Sequence, residues 1–346
     1  MCIKKEFGQN MENIFEKTFI QIKGQKIGMF INGNHIDNPV LLFVHGGPGF
    51  PEYGLTQKYP THLEEYFIVC WYDQRGGGLS YDKNIDTRQI TVDNIISDTV
   101  EVANYLRNRF GKEKIYIMAH SWGTLIGLKT VYQHPGLFYA YIGVEQMSNQ
   151  VESEKIAYEY MLEQYKKMNN KRMVKKLEKY RSLFNIMPLN YVELLNYAKH
   201  RDKPMHELGI GSMHEMRSVI SGLFLPIMKN KNYTFSERIN IWKAKNLCIF
   251  KTNLWETMHN TDLTKEINSV EIPIFFFHGI YDYTVNYKLA KEYYEQFVAP
   301  IKGFYTFFNS AHSPIFEEPG KVIKILLEDV LKNTENALTS LKLRLT

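Results

Sequence analysis

The feature that most constrains this 346-residue chain is a series of short, uninterrupted apolar runs separated by segments of helical periodicity. Val40-Leu41-Leu42-Phe43-Val44, Phe67 to Tyr72 and Ile115 to Ala119 lack the alternation of a strand with one wet face. Such runs suit strands buried on both sides, the condition of a parallel sheet covered by helices. Ile27, Met29 and Ile31 do alternate, and Tyr139 to Val144, Ile274 to Phe277 and Phe304 to Phe308 supply further strands. Val92, Ile95, Thr99, Val102, Leu106 and Phe110 recur at helical spacing up to Gly111, and a second helix is predicted from Trp122 to Gln133, stopped near Pro135. Asn286 to Phe297 and the segment beyond Pro319 read as later helices. Strand alternating with helix predicts an α/β fold with helices on both faces of a mostly parallel sheet.

Between residues 148 and about 262 this grammar stops. Long helical stretches rich in Tyr, Met and Lys predict a helical cap (148–262) inserted into a core domain of 1–147 and 263–346. The methionines Met161, Met168, Met173, Met187, Met205, Met213, Met216 and Met228 fill an irregular helical core. The alternative is that some of Tyr158, Phe184, Met216 and Phe224 form an apolar lid over the active site. The net charge of +5 is concentrated here, with 19 Lys and Arg against 12 Asp and Glu. Lysines such as Lys166, Lys167, Lys175 and Lys176 interleave with apolar residues, so a solvated helix face is expected, with no nucleic-acid partner. Cys2, Cys70 and Cys248 lie far apart without metal-ligand spacing, which suggests neither a zinc site nor a disulfide framework. No run of about 18 apolar residues and no signal-peptide pattern occurs, so a cytoplasmic, non-membrane protein is expected.

The strongest chemical signal is Ala119-His120-Ser121-Trp122-Gly123, where a buried strand turns into a helix. A serine on such a turn is held at the carboxyl end of the sheet with its hydroxyl in the ligand crevice. His45-Gly46-Gly47-Pro48-Gly49 follows the first buried strand, and the N–H of Gly47 with that of Trp122 would make a two-donor oxyanion hole. Asp282 and His312 stand in loops after two later strands, at the same end of the sheet as Ser121. Nucleophile Ser121, acid Asp282 and base His312 occur in the order expected of an α/β-hydrolase.

With these residues in view, the chain resembles the α/β-hydrolases, and within them the proline iminopeptidase (prolyl aminopeptidase) family of serine peptidases. His45 to Gly49 resembles that family's H-G-G-P-G motif, and Asp73-Gln74-Arg75-Gly76-Gly77-Gly78-Leu79-Ser80 its D-Q-R-G-x-G-x-S motif. The resemblance covers the sheet domain at both ends and implies an eight-stranded, mostly parallel sheet with a helical cap. It also implies acyl transfer by Ser121, His312 and Asp282 without metal or organic cofactor, and release of an N-terminal residue, typically proline, from short peptides. The alternative activity is a cap-gated carboxylesterase or other amidase, and the non-enzymatic alternative is a ligand-binding module. Two departures bear on substrate. Ala119 replaces the first glycine of the family's G-x-S-W-G elbow, and the cap carries only Trp242 and a distant Trp255-Glu256 in place of a Trp-Trp-Glu signature whose glutamate helps bind the substrate amine. Glu256 is thus one candidate for amine binding. Glu145 is another: it follows a strand at the active-site edge, where it would meet an ammonium group, pair with a cap lysine, or stand in as the triad acid. Arg75 would either fix the loop around the site or bridge surface carboxylates.

Overall fold

The computed structural model describes residues 13–184 and 190–334; Cys2 and Met187 lie outside the described residues. Eight strands form one sheet: β1 (Ile14–Ile22), β2 (Gln25–Gly33), β3 (Val40–Val44), β4 (Ile68–Tyr72), β5 (Ile115–His120), β6 (Phe138–Val144), β7 (Ile274–Gly279) and β8 (Lys302–Phe307). Their order is β1-β2-β4-β3-β5-β6-β7-β8. The β1–β2 and β2–β4 pairs are antiparallel and every later pair is parallel.

The uninterrupted apolar runs have a physical reason. Along β3 and β4, Leu42, Val44, Ile68 and Cys70 enter one core, while Leu41, Phe43, Val69 and Trp71 enter a second core on the opposite face. Both faces are dry, so alternation disappears. Each such aliphatic or aromatic side chain contributes about 1.5–3 kcal/mol by leaving water. β8 is different: as the edge strand it is half-exposed, and Phe308, read as its last residue, lies beyond it and is exposed.

Helix α1 (Val92–Phe110) starts at Thr91, whose hydroxyl accepts the Asn94 N–H, and ends at Gly111 in the left-handed conformation. Helix α2 (Trp122–Gln133) follows β5 directly. Between β6 and β7 come α3 (Gln150–Lys167), α4 (Lys171–Leu177), α5 (Tyr191–Glu207), α6 (Leu225–Lys229), α7 (Phe235–Phe250), α8 (Leu254–Asn260) and α9 (Leu263–Glu266). The chain enters and leaves this helical region through a narrow neck: Asn149 bridges Asp262, and the Leu263 N–H reaches the Ser148 carbonyl at 2.9 Å. The first half of the region has its own apolar cluster, including Ala157, Met161, Tyr197 and Met205. Its second half packs into the two sheet cores through Ile227, Ile241, Cys248 and Met258. After β7 follow α10 (Tyr287–Gln296), β8, α11 (Pro314–Glu317) and α12 (Pro319–Ile325). No helix among the described residues is long and apolar enough to cross a membrane.

Parallel register positions the chemistry. Val44 pairs with Ala119, His120 with Val144, and Val144 with Phe277. The residues that follow β3, β5, β6, β7 and β8 therefore emerge at one edge.

Candidate active site

Ser121 sits between β5 and α2 with φ 54° and ψ −124°, a conformation that costs a non-glycine residue energy and is held by its surroundings. Its N–H donates to the Val144 carbonyl at 3.0 Å, and its own carbonyl accepts from Thr124 N–H at 2.8 Å. A Cβ on Gly123 would stand 2.2 Å from the Val44 carbonyl oxygen, so only glycine lets α2 lie this close to β3. Ala119 is accommodated from the other side, because it faces Gly127, where a Cβ would come within 2.7 Å of the Ala119 methyl. The departure from a glycine elbow is thus absorbed one helical turn later.

The Ser121 hydroxyl and His312 Nε2 are 2.8 Å apart, and His312 Nδ1 is 2.7 Å from Asp282 Oδ2. Asp282 is fully buried, and its other oxygen accepts from Thr284 N–H at 2.7 Å and Val285 N–H at 3.1 Å. Burial pushes this carboxyl up, but His312 and Glu145 outweigh it and hold Asp282 below the ordinary carboxylate value. A hydroxyl bonded to an imidazole that is itself bonded to a buried carboxylate can surrender its proton as it attacks an electrophile.

Glu145 is not at the surface of the crevice. It is completely buried beside Asp282, with a carboxylate oxygen within 4.8 Å of that carboxyl, and accepts the Gly279 N–H at 2.8 Å through Oε1. Burial and the neighbouring Asp282 push it well above its ordinary value. The expectation that it meets a substrate ammonium is therefore corrected: the end of β6 faces β7 and its loop, and a zero-exposure side chain there cannot reach the cavity. Among the described residues, Glu145, Asp282 and His312 form one group with metal-ligand atoms within 4.8 Å of one another, and His312 and Asp282 are already hydrogen-bonded to each other.

Gly47 lines the cavity with φ 123°, where a Cβ would collide with the amides of Gly49 and Phe50. Trp122 opens α2, so its N–H belongs to the amides that a helix start leaves without an intrahelical acceptor. A residue not singled out from sequence joins these two segments. Gln74 Nε2 donates to the His45 carbonyl at 2.6 Å, and Gln74 Oε1 accepts the Trp122 indole N–H at 3.0 Å. His45 Nε2 in turn accepts the Gln74 backbone N–H at 3.0 Å, and burial pulls this imidazole down to about 4, so it is neutral. Arg75 makes a buried two-pronged contact with Asp98 of α1 at 2.8 and 2.6 Å, which makes it a loop anchor and not a surface bridge.

Two more groups were missed. His120 Nδ1 lies 2.5 Å from Glu52 Oε1, and its Nε2 lies 2.6 Å from the His312 carbonyl. Burial opposes charge on His120, but Glu52 and the carbonyl outweigh it and raise this imidazole above its ordinary value. Glu317 accepts the N–H groups of Ala311 (3.0 Å) and Ser313 (3.3 Å), the two neighbours of His312, and that of His214 (2.5 Å) in the helical region. The signal available was proximity to motif residues: Gln74 lies inside the D-Q-R motif, Glu52 three residues beyond the glycine loop, and Glu317 five after His312.

Ser121 and His312 face a cavity of about 580 Å³. Its apolar wall comes from Met205, Val219, Leu223, Trp242, Ile249 and Phe250. None of Tyr158, Phe184, Met216 and Phe224 lines it; Tyr158 and Phe184 pack in the separate helical cluster, and Phe224 packs at a tilt against Trp242 with ring centres 5.3 Å apart. Glu256, on α8, is exposed and outside the cavity, although its neighbour Trp255 lines it: helical rotation by one residue turns the carboxylate away. The carboxylates that do line the cavity are Glu52 and Asp202.

The sheet order, the residues gathered at its edge and the helical region between β6 and β7 define an α/β-hydrolase. A family model for the alpha/beta hydrolase fold matches residues 39–319, and the chain belongs to that family. Among similar proteins, a probable aminopeptidase, YbaC, of Bacillus subtilis (strain 168) is 32% identical over 300 residues, covering 87% of this chain and 91% of the relative. A proline iminopeptidase of Heyndrickxia coagulans is 22% identical over 320 residues, covering 90% and 98%. The crystal structure of a proline iminopeptidase-related protein from Thermus thermophilus superposes with a TM-score of 0.63 at 20% identity, over 91% of this chain and 98% of that one.

Proposed function

We propose that the protein is a serine hydrolase that works through an acyl-enzyme, and that its substrates are short peptides from which it releases the N-terminal residue. The observation that carries this reading is the hydrogen-bonded chain Ser121–His312–Asp282 facing a cavity of about 580 Å³. Ser121 attacks the scissile carbonyl while His312 Nε2 takes its proton. Asp282 holds the imidazole in the tautomer with Nδ1–H, and the amides of Gly47 and Trp122 stabilise the oxyanion. His312 then protonates the leaving amine, and a water activated by the same imidazole releases the acyl group. Residues 148–262 act as the cap that supplies the apolar wall of the cavity. Similarity to a probable aminopeptidase and to a proline iminopeptidase supports the peptide reading. One observation favours a second reading, an esterase or other amidase: neither Glu145 nor Glu256 faces the cavity.

The test is kcat/KM for proline, alanine and leucine arylamides, their N-blocked counterparts and short p-nitrophenyl esters, with wild type and Ser121→Ala, beside fluorophosphonate labelling of Ser121. Turnover of free-amine arylamides that needs Ser121 and vanishes on N-blocking is expected. Ester-only turnover would replace the aminopeptidase reading by the second one, and an unlabelled Ser121 would sink both.

A further inference from the structure

Two carboxyl groups lie behind His312 where one would suffice. Glu145 and Asp282 both have zero exposure and bring carboxylate oxygens within 4.8 Å of each other. Two like charges this close in a dry site do not both ionise. The neighbouring groups decide which one keeps the proton. Asp282 receives three N–H donors, from Thr284, Val285 and His312, and hydrogen bonds to the charged form favour it. Glu145 receives one, from Gly279. His278 of β7 brings its Nε2 to 2.8 Å from Glu145 Oε2, but that nitrogen is also 3.0 Å from the Val285 carbonyl, and burial pulls the imidazole down to about 4, so it offers no cation. Glu317 adds a further negative field on Glu145, while Arg201 and His120 act on Asp282 from farther off.

We propose that Glu145 is a positioning residue: a neutral carboxylic acid that donates its proton's hydrogen bond to Asp282 and so fixes the anion that orients His312. The proposal rests on the triad reading above for its kinetic consequence, though not for the protonation state. Donors from Thr284, Val285, His312 and Glu145 then surround Asp282, and the acid that emerges from β6 ties the β7 loop to the strand beside Ser121's own. Glu145 contributes no net charge, so its effect on His312 is geometric.

Glu145→Gln keeps a donor toward Asp282 and an acceptor for Gly279 N–H; Glu145→Leu removes both. The infrared difference spectrum of the full chain, wild type minus Glu145→Gln at neutral pH, should show a protonated-carboxyl C=O band. The acidic limb of the kcat/KM profile should stay in place in Glu145→Gln, with activity retained to within a few-fold. Glu145→Leu should lose about 10–100-fold in kcat with KM little changed, as for other groups that orient a reacting residue through a second one. If Glu145 is instead ionised, the difference spectrum lacks that band and Glu145→Gln moves the acidic limb to lower pH by about a unit, since a nearby charge is worth that much; either result overturns the proposal. Should Glu145→Leu fail to fold, the glutamine variant and the spectrum still decide. Failure of Ser121 labelling would remove the triad reading and leave the infrared result standing on its own.

Discussion

Replacing Gln74 by leucine is expected to weaken both the fold and the chemistry, and the two losses can be separated. Gln74 is 1% exposed and its amide group bridges the His45 carbonyl and the Trp122 indole at 2.6 and 3.0 Å. Leucine has similar bulk but neither donor nor acceptor, so both partners are left buried and unsatisfied. At about 1–3 kcal/mol for each orphaned group, the loss is about 3–4 kcal/mol. A domain with a stability of about 5–15 kcal/mol remains folded. The same bridge holds together the two segments whose amides make the proposed oxyanion hole, so kcat should fall by about tenfold or more, while KM for a small ester changes little. Complete loss of one donor, worth roughly 10²–10³ in kcat, is the ceiling. Urea unfolding should show a lower midpoint at unchanged m-value, and single-turnover acylation should slow. A variant that loses the stability but acylates at the wild-type rate would refute the claim that Gln74 sets the oxyanion geometry.

Two further outcomes follow from the same geometry. Glu317 is pushed up to about 7 by burial, against an ordinary 4.5, so the folded state binds its proton more tightly than the unfolded chain; its stabilising contribution is complete below pH 4.5 and is lost as pH rises to about 7. Urea unfolding of wild type and Glu317→Gln at about pH 5 and about pH 7.5 should show the wild type losing more on the alkaline step, and parallel losses would contradict this. Arg75→Met leaves Asp98, fully buried, without its partner, at a cost of about 3–5 kcal/mol, while Arg75→Met with Asp98→Leu should recover most of it; a double variant no more stable than the single one would show that the pair does not act as a unit.

The helical region between β6 and β7 illustrates where sequence reading runs short. Met205 reads like the other methionines and does line the cavity, whereas Met216 packs into a sheet core. Both sit in segments rich in apolar residues, and nothing in their local spacing separates them. The basic excess of this region is similarly divided: Lys166 and Lys167 pair with Glu178 and Glu163 on the surface, while Lys199, Arg201 and Lys245 face the cavity. Helical periodicity tells which side of a helix is apolar, but a helix packed on two neighbours has two such sides.

By itself the sequence determined every strand but β1, the parallel connection of the later ones and the turn that carries Ser121, because each depends on contacts within a few residues: an apolar run, a cap, a glycine that must lie against a backbone. It also placed Asp282 and His312 at strand ends, since a residue just after a parallel strand emerges at the carboxyl edge wherever that strand sits. Only the tertiary structure decided what each of those residues meets. Ser121 and His312 are 191 positions apart, Glu145 and Gly279 are 134, and Gln74 and Trp122 are 48. Whether Glu145 turns to the cavity or to Asp282 depends on β6 pairing with β7 in one register, and no local pattern encodes the register of two strands separated by the whole helical region.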